Sequence, residues 1–136
     1  MSGPLQGIRV VEFGTLIAAP FAARLFAEFG AEVIKIESPQ GGDPLRKWRK
    51  LHEGTSLWWF VQARNKQSLT LNLKHAEGRE VLKRLRADAD ILIENFRPGV
   101  LEKLGLGWDV LHELNPRLVM VRLSGFGQTG PMKDQP

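Results

Sequence analysis

The chain contains no cysteine, which excludes disulfides, thiolate metal sites and a cysteine nucleophile, and which suits a cytoplasmic setting. No apolar run approaches the roughly 20 residues that a bilayer crossing requires, so no membrane span is expected. The opening MSGPLQGIRV has no basic segment followed by a continuous apolar one and does not read as a secretory signal. Several signatures of known chemistry are missing too. The turn GTLIAAP lacks the G-x-G-x-x-G that brings backbone against a pyrophosphate, and there is no G-x-x-x-x-G-K-[ST] phosphate loop. No G-x-S-x-G elbow offers a hydrolase nucleophile, and Ser124 in LSGFGQTG has no evident histidine and acid to activate it. His52, His75 and His112 are far apart without an i+4 partner, so no metal site is expected and they read as surface or helix-end residues.

What is present is the composition of a folded domain. At 136 residues, 43% hydrophobic and 25% charged, the chain is long enough for one real core but short for a complete metabolic enzyme. Nineteen basic against fifteen acidic residues give a formal charge of +4, which favours an anionic partner: nucleic acid, a membrane surface or a phosphorylated cofactor. Apart from the knot Arg46, Lys47, Arg49, Lys50 the basic residues are spread along the chain, as on an ordinary solvated surface.

The apolar pattern alternates between two periods. IRVVEF, residues 8–13, reads as a strand; AAPFAARLFAEFG follows as a helix in which Phe21, Leu25, Phe26 and Phe29 recur at helical spacing, with Pro20 in its first turn and Gly30 past its end. AEVIKIE, residues 31–37, is the return strand of a right-handed βαβ crossover, parallel to the first. From SPQGGDP onward a long irregular stretch is expected, carrying the basic knot and reaching SLWWFVQARNK. SLTLNL, residues 68–73, is the next strand; AEGREVLKRLRADA is an amphipathic helix; DILIEN is a strand; PGVLEKLGLGWDVLHELNP splits into two short helices; RLVMVRL is the last strand. The expected fold is therefore α/β, a mostly parallel open sheet with helices on both faces. No internal repeat or composition break divides the chain, and the Gly- and Pro-rich loop SGFGQTGPMKDQP that closes it after a strand suggests a truncated piece of something longer.

In such sheets ligands bind beyond the carboxyl ends of the strands. The loops there begin Gly14 to Ala19, Glu37 to Asp43, Asn95 to Arg97 and Ser124 to Gly130. An amide, a ring and a guanidinium in ENFRPG could read a base, ribose or phosphate; equally, Arg97 could be a surface charge and Asn95 a turn residue. Trp48, Trp58, Trp59 and Phe60 among cations could stack on bases as in single-strand nucleic-acid binders, or form a core or oligomer contact.

Taken together, GIRVVEFGTLIAAPFAARLFAEFGAEVIKIESPQGGDPLR, RNKQSLTLNL and ENFRPGVLEKLGLGWDVLHELNPRLVMVRLSGFGQTGP resemble the N-terminal part of the family III CoA-transferases, a group that includes formyl-CoA:oxalate and carnitine CoA-transferases and the α-methylacyl-CoA racemases. The resemblance implies a Rossmann-like fold in which residues 1–136 are the N-terminal, CoA-binding part of a truncated large domain, in subunits that interlock as a homodimer. It implies coenzyme A or acyl-CoA and a free carboxylic acid as substrates, no covalently bound cofactor, and neither nucleic acid nor membrane as partner. Carried over by position, Ile17, Ala18, Leu71, Asn72, Leu73, Lys74, Asn95, Phe96, Arg97, Lys103 and Lys133 are the CoA-contacting positions. The position after KIE, often basic in the family, is Ser38 here, with Arg46 or Lys47 as candidate substitutes. The transferases use an aspartate that forms covalent acyl intermediates, placed a few tens of residues beyond GFGQTGP. No catalytic residue is therefore expected within these 136 residues, and the chain alone is expected to be inactive. The aromatic-rich SLWWFVQARNKQSL favours transferase over racemase; a racemase-like isomerase and a non-enzymatic nucleic-acid-binding module are the alternatives.

Overall fold

The computed structural model describes residues 3–135. Five segments, all but the polar edge strand KQSLT rich in apolar or β-branched residues, form one sheet: β1 (Arg9–Glu12), β2 (Glu32–Glu37), β5 (Lys66–Thr70), β6 (Ile91–Glu94) and β7 (Val119–Arg122). The spatial order is β5-β2-β1-β6-β7, and every neighbouring pair runs parallel. The chain thus winds outward from β1 to β5, then crosses back to lay β6 on the other side of β1. That reversal between β1 and β6 is the switch point where doubly wound sheets open a crevice.

Both faces of the sheet are covered, because successive side chains of a strand point to opposite sides. Val10 and Ile93 pack with Val33 beneath α1 (Ala18–Glu28), while Val11, Phe13, Ile36 and Leu92 pack on the other face. There they meet Leu82 of α3 (Ala76–Ala87), Leu101 of α4 (Val100–Lys103) and Leu111 of α5 (Trp108–Leu114). Val10, Val11, Leu92 and Ile93 are fully buried, each such side chain worth about 1.5–3 kcal/mol of transfer free energy.

The helix after β1 forms where its pattern says, but turned. Ala19, Ala23 and Ala27 make its buried face, whereas Phe21, Leu25 and Phe29 are 44%, 37% and 54% exposed. Methyl side chains let the helix lie close on the sheet, and rings in the same row would hold it off. Gly30 ends it at φ +100, where an added Cβ would also approach Gly3 Cα to 3.0 Å.

The stretch expected to be irregular is not. It holds a 3-10 turn at Pro44–Lys47, a small antiparallel pair β3 (Leu51–His52) and β4 (Thr55–Ser56), and α2 (Leu57–Gln62). Asp43 caps the 3-10 turn through Leu45 N, and the Ser56 hydroxyl caps α2 through Trp58 N. β5 begins two residues and ends three residues earlier than expected: its paired register ends at Thr70, and Leu71–Leu73 continue toward the strand tips.

Candidate functional site

Three of the strands end on the same residue type. Glu12 closes β1, Glu37 closes β2 and Glu94 closes β6, and all three are buried. A carboxylate removed from water must find a cation or several donors, and each of these does. Glu12 accepts from Lys35 Nζ and Lys66 Nζ, both at 2.7 Å. Lys35 Nζ also donates to Gly14 O at 2.9 Å and makes an ion-pair contact of 2.9 Å with Asp43 Oδ2; Lys66 Nζ also donates to Pro20 O at 2.7 Å. Glu37 accepts from Arg46 Nε and Nη2 at 2.7 and 2.8 Å, from Ser68 Oγ at 2.6 Å and from Asp43 N at 2.9 Å. Glu94 accepts from Arg122 Nε at 2.7 Å and from Phe96 N at 2.6 Å. The strand ends are therefore tied to the loops that follow them.

These contacts set the ionisation. Burial works to raise the Glu37 pKa, but donation from Arg46, Ser68 and the Asp43 amide outweighs it, and the carboxyl is held down at about 2. Burial lowers the Lys66 pKa, against the opposing pull of Glu12.

Beside these tips lies a cavity of about 390 Å³, within the range of small-molecule sites. Its floor is apolar: Phe13, Ile36, Leu71, Leu73, Phe96 and Leu104, with Phe13 and Phe96 rings 6.1 Å apart. Its rim is polar, carrying Asn72, Lys74, Lys103, Ser38 and Gln40. Of the expected contact positions, the fold brings Leu71, Asn72, Leu73, Lys74, Phe96 and Lys103 together around this one space. Asn95 stands behind it, with its amide bonded to the Thr15 backbone. Ile17 is the N-cap of α1 and Ala18 its first residue, while Arg97 is exposed on the β6 loop and Lys133 on the C-terminal loop; none of these four lines the cavity. Phe13, Ile36, Val100 and Leu104 complete the wall and were not anticipated, although the alternation of VVEF and VIKIE carries the signal for the first two.

Three of the four cations of the basic knot are committed elsewhere. Arg46 is bidentate on Glu37 and lies over the Trp59 ring at 3.8 Å; Lys47 Nζ donates to Gly54 O at 2.7 Å. Neither is free to replace a basic residue at position 38. Arg49 lies over Trp48, which packs on Trp58 at 5.9 Å, so the tryptophans engage their own cations and one another. Among the described residues no helix is long and apolar enough to cross a membrane.

The arrangement also matches known proteins. The family model described as CoA-transferase family III covers residues 5–136. The chain is 58% identical over 134 residues to the succinyl-CoA--L-malate CoA-transferase beta subunit of Chloroflexus aurantiacus, a match covering 98% of this chain and 33% of that protein. It is 42% identical over 132 residues to a formyl-CoA:oxalate CoA-transferase of Escherichia coli, covering 96% and 32%. A solved CAIB/BAIF family protein from Brucella suis superposes with a TM-score of 0.92 at 38% identity, over 99% of this chain and 37% of that one. The chain thus spans about a third of the length of the curated relatives it matches.

Proposed function

The chain belongs to CoA-transferase family III, and from that premise we propose that residues 1–136 form the coenzyme-A-holding part of an enzyme that moves CoA between an acyl-CoA thioester and a free carboxylic acid. The observation that carries the proposal is the cavity at the strand tips, apolar on its floor and cationic at its rim. Coenzyme A joins a flat heteroaromatic ring to phosphates, so a greasy slot edged by ammonium groups suits it. In this reading the slot of Phe13, Ile36, Leu71, Leu73 and Phe96 takes the ring, and Lys74 and Lys103 take phosphate. Ile17 and Ala18 on the β1 side and Arg97 on the β6 side are proposed for the remainder of the molecule; Lys133 is proposed on the family resemblance alone.

The acyl donor we propose is succinyl-CoA, the donor named in the two relatives that are 58% and 55% identical over nearly the whole chain. The acceptor is a small carboxylic acid. The covalent step falls to an aspartate outside these 136 residues, and the working enzyme is a homodimer. A nucleophilic carboxylate divides the exchange into acyl-anhydride and thioester stages, each easier than direct transfer. The part played by the present residues is to hold and orient the carrier.

Calorimetric titration of the protein with CoA tests this. Phe96→Ala and the Lys74→Gln/Lys103→Gln pair are each expected to weaken binding by about tenfold, the second with a reduced salt dependence. Unchanged affinity in both variants overturns the site.

A further inference from the structure

We infer that Asn95 and Asp43 are positioning residues that clamp the Gly14–Ile17 turn from two sides and so fix the β1 tip against the cleft. The ligand's identity rests on the CoA-binding reading above; the clamp itself does not.

The turn needs a clamp because it is strained. Leu16 sits at φ +61, in the left-handed region that a branched side chain rarely enters, and such a conformation persists only where the surroundings over-determine it. From the β6 side, Asn95 Oδ1 accepts from Thr15 N at 2.7 Å while Asn95 Nδ2 donates to Thr15 O at 2.9 Å. One carboxamide thus does what a neighbouring strand would do, and it does so at the switch point, beyond the last β1–β6 backbone bond from Phe13 N to Ile93 O. Gly14 makes room for it: a Cβ there would come within 2.6 Å of Asn95 Oδ1 and 2.1 Å of Ala19 Cβ.

From the β2 side, Asp43 Oδ1 accepts from Leu16 N at 3.0 Å and from Leu45 N at 2.8 Å. Asp43 is itself fixed, through Lys35, to a buried set of two acids and two amines: Glu12, Asp43, Lys35 and Lys66, whose side chains are at most 2% exposed. The set is neutral overall, and its amines reach on to Gly14 O and Pro20 O. Five backbone polar atoms between Gly14 and Pro20 are therefore held by side chains from β2, β5, the loop after β6 and the Asp43 loop. Gly14, Thr15 and Asp43 all line the cavity, so any movement of the turn changes the cavity wall. A network serving stability alone has no need to hold a leucine in a strained conformation at that wall. The Asn95 amide, bonded to Thr15 through both its oxygen and its nitrogen, acts on the ligand through the turn.

Two variants separate positioning from mere support, read by three measurements: amide hydrogen exchange at residues 15 and 16 in ligand-free protein, CoA affinity by calorimetry, and the thermal midpoint. Asn95→Ala is expected to speed Thr15 exchange by about tenfold or more and to weaken CoA binding by about tenfold. Leu16→Gly removes the strain and keeps both clamping residues; its midpoint is expected to hold or rise while CoA affinity still falls several-fold, because a relaxed turn samples other positions. Stability and affinity moving in opposite directions is the signature. A Leu16→Gly protein with unchanged CoA affinity, or an Asn95→Ala protein with unchanged Thr15 exchange, overturns the inference. If Asn95→Ala does not fold, Leu16→Gly decides alone. If the unaltered protein binds no CoA, the ligand reading fails, and the exchange measurement still decides the clamp.

Discussion

Replacing Glu37 by glutamine removes one charge and nothing else of size, and the structure says what that does. The carboxylate takes four donors, from Arg46 twice, Ser68 and the Asp43 amide. A glutamine can satisfy only those facing its oxygen, and its own NH2 would confront the rest. The free energy at stake follows from the ionisation: the carboxyl is held down at about 2 in the fold, against an ordinary glutamate value of 4.5. At about 1.36 kcal/mol for each pH unit, the charged form stabilises the fold by about 3 kcal/mol at neutral pH. The sign follows from proton uptake. A carboxyl depressed in the folded state gives stability that is complete above the unfolded value and is lost as pH falls from about 4.5 through about 2, because the unfolded chain takes up the proton first. Urea unfolding at pH 7 is expected to show Glu37→Gln less stable by about 3 kcal/mol, and repeats down to pH 3 should show that gap closing as the unaltered protein loses its advantage. A gap below about 1 kcal/mol at pH 7, or one that stays constant between pH 5 and pH 3, refutes the reasoning.

Two further substitutions probe the helices. Ala23→Leu on the buried face of α1 inserts a branched side chain where the helix lies close on Val10 and Ile93, and should cost about 1–3 kcal/mol in chemical denaturation, whereas Leu25→Ala on the outer face should cost far less. Arg86 is buried between α3 and α5 without a carboxylate; it donates to Leu111 O and leaves its Nε unpaired, and burial lowers its pKa. Arg86→Met is expected to raise the thermal midpoint by a few degrees, since a hydrophobe of similar volume escapes the desolvation cost.

The sheet and its direction were legible in the amino-acid sequence because the signals are local and dense. IRVVEF, AEVIKIE and DILIEN are short apolar runs bounded by Pro, Gly or a charged residue, and each became a parallel strand. The phase of α1 was less legible: hydrophobicity alone puts phenylalanine inside, while close packing of helix on sheet selects alanine, and the second is a tertiary constraint. The segment from Pro44 to Gln62 was missed for another reason. Its elements are two to six residues long, too short for a period to show, and they are fixed by single caps from Asp43 and Ser56. The cavity floor was half visible, through Leu71, Leu73 and Phe96; Val100 and Leu104 reach it from α4 and the residue after it, an arrangement no sequence spacing encodes.

One signal was in plain view and carries a lesson about charge. VVE, KIE and LIE each end an apolar run on glutamate, and Lys35 stands in the middle of such a run. A charged residue where both faces of a sheet are covered must be paired, so acids at adjacent strand ends together with a lysine inside β2 already imply a buried ionic network. The same pairing changes the meaning of the formal charge of +4. Lys35, Lys66, Arg46 and Arg122 are cations close to the strand tips, yet each is matched by a buried glutamate and offers little attraction to an arriving anion. In the proposed CoA-holding role, attraction at the cleft therefore falls to Lys74 and Lys103 on its rim, neither of which has an ion-pair partner among the described residues. Net charge is a property of the whole chain, whereas steering is governed by the cations that remain unmatched where the ligand enters.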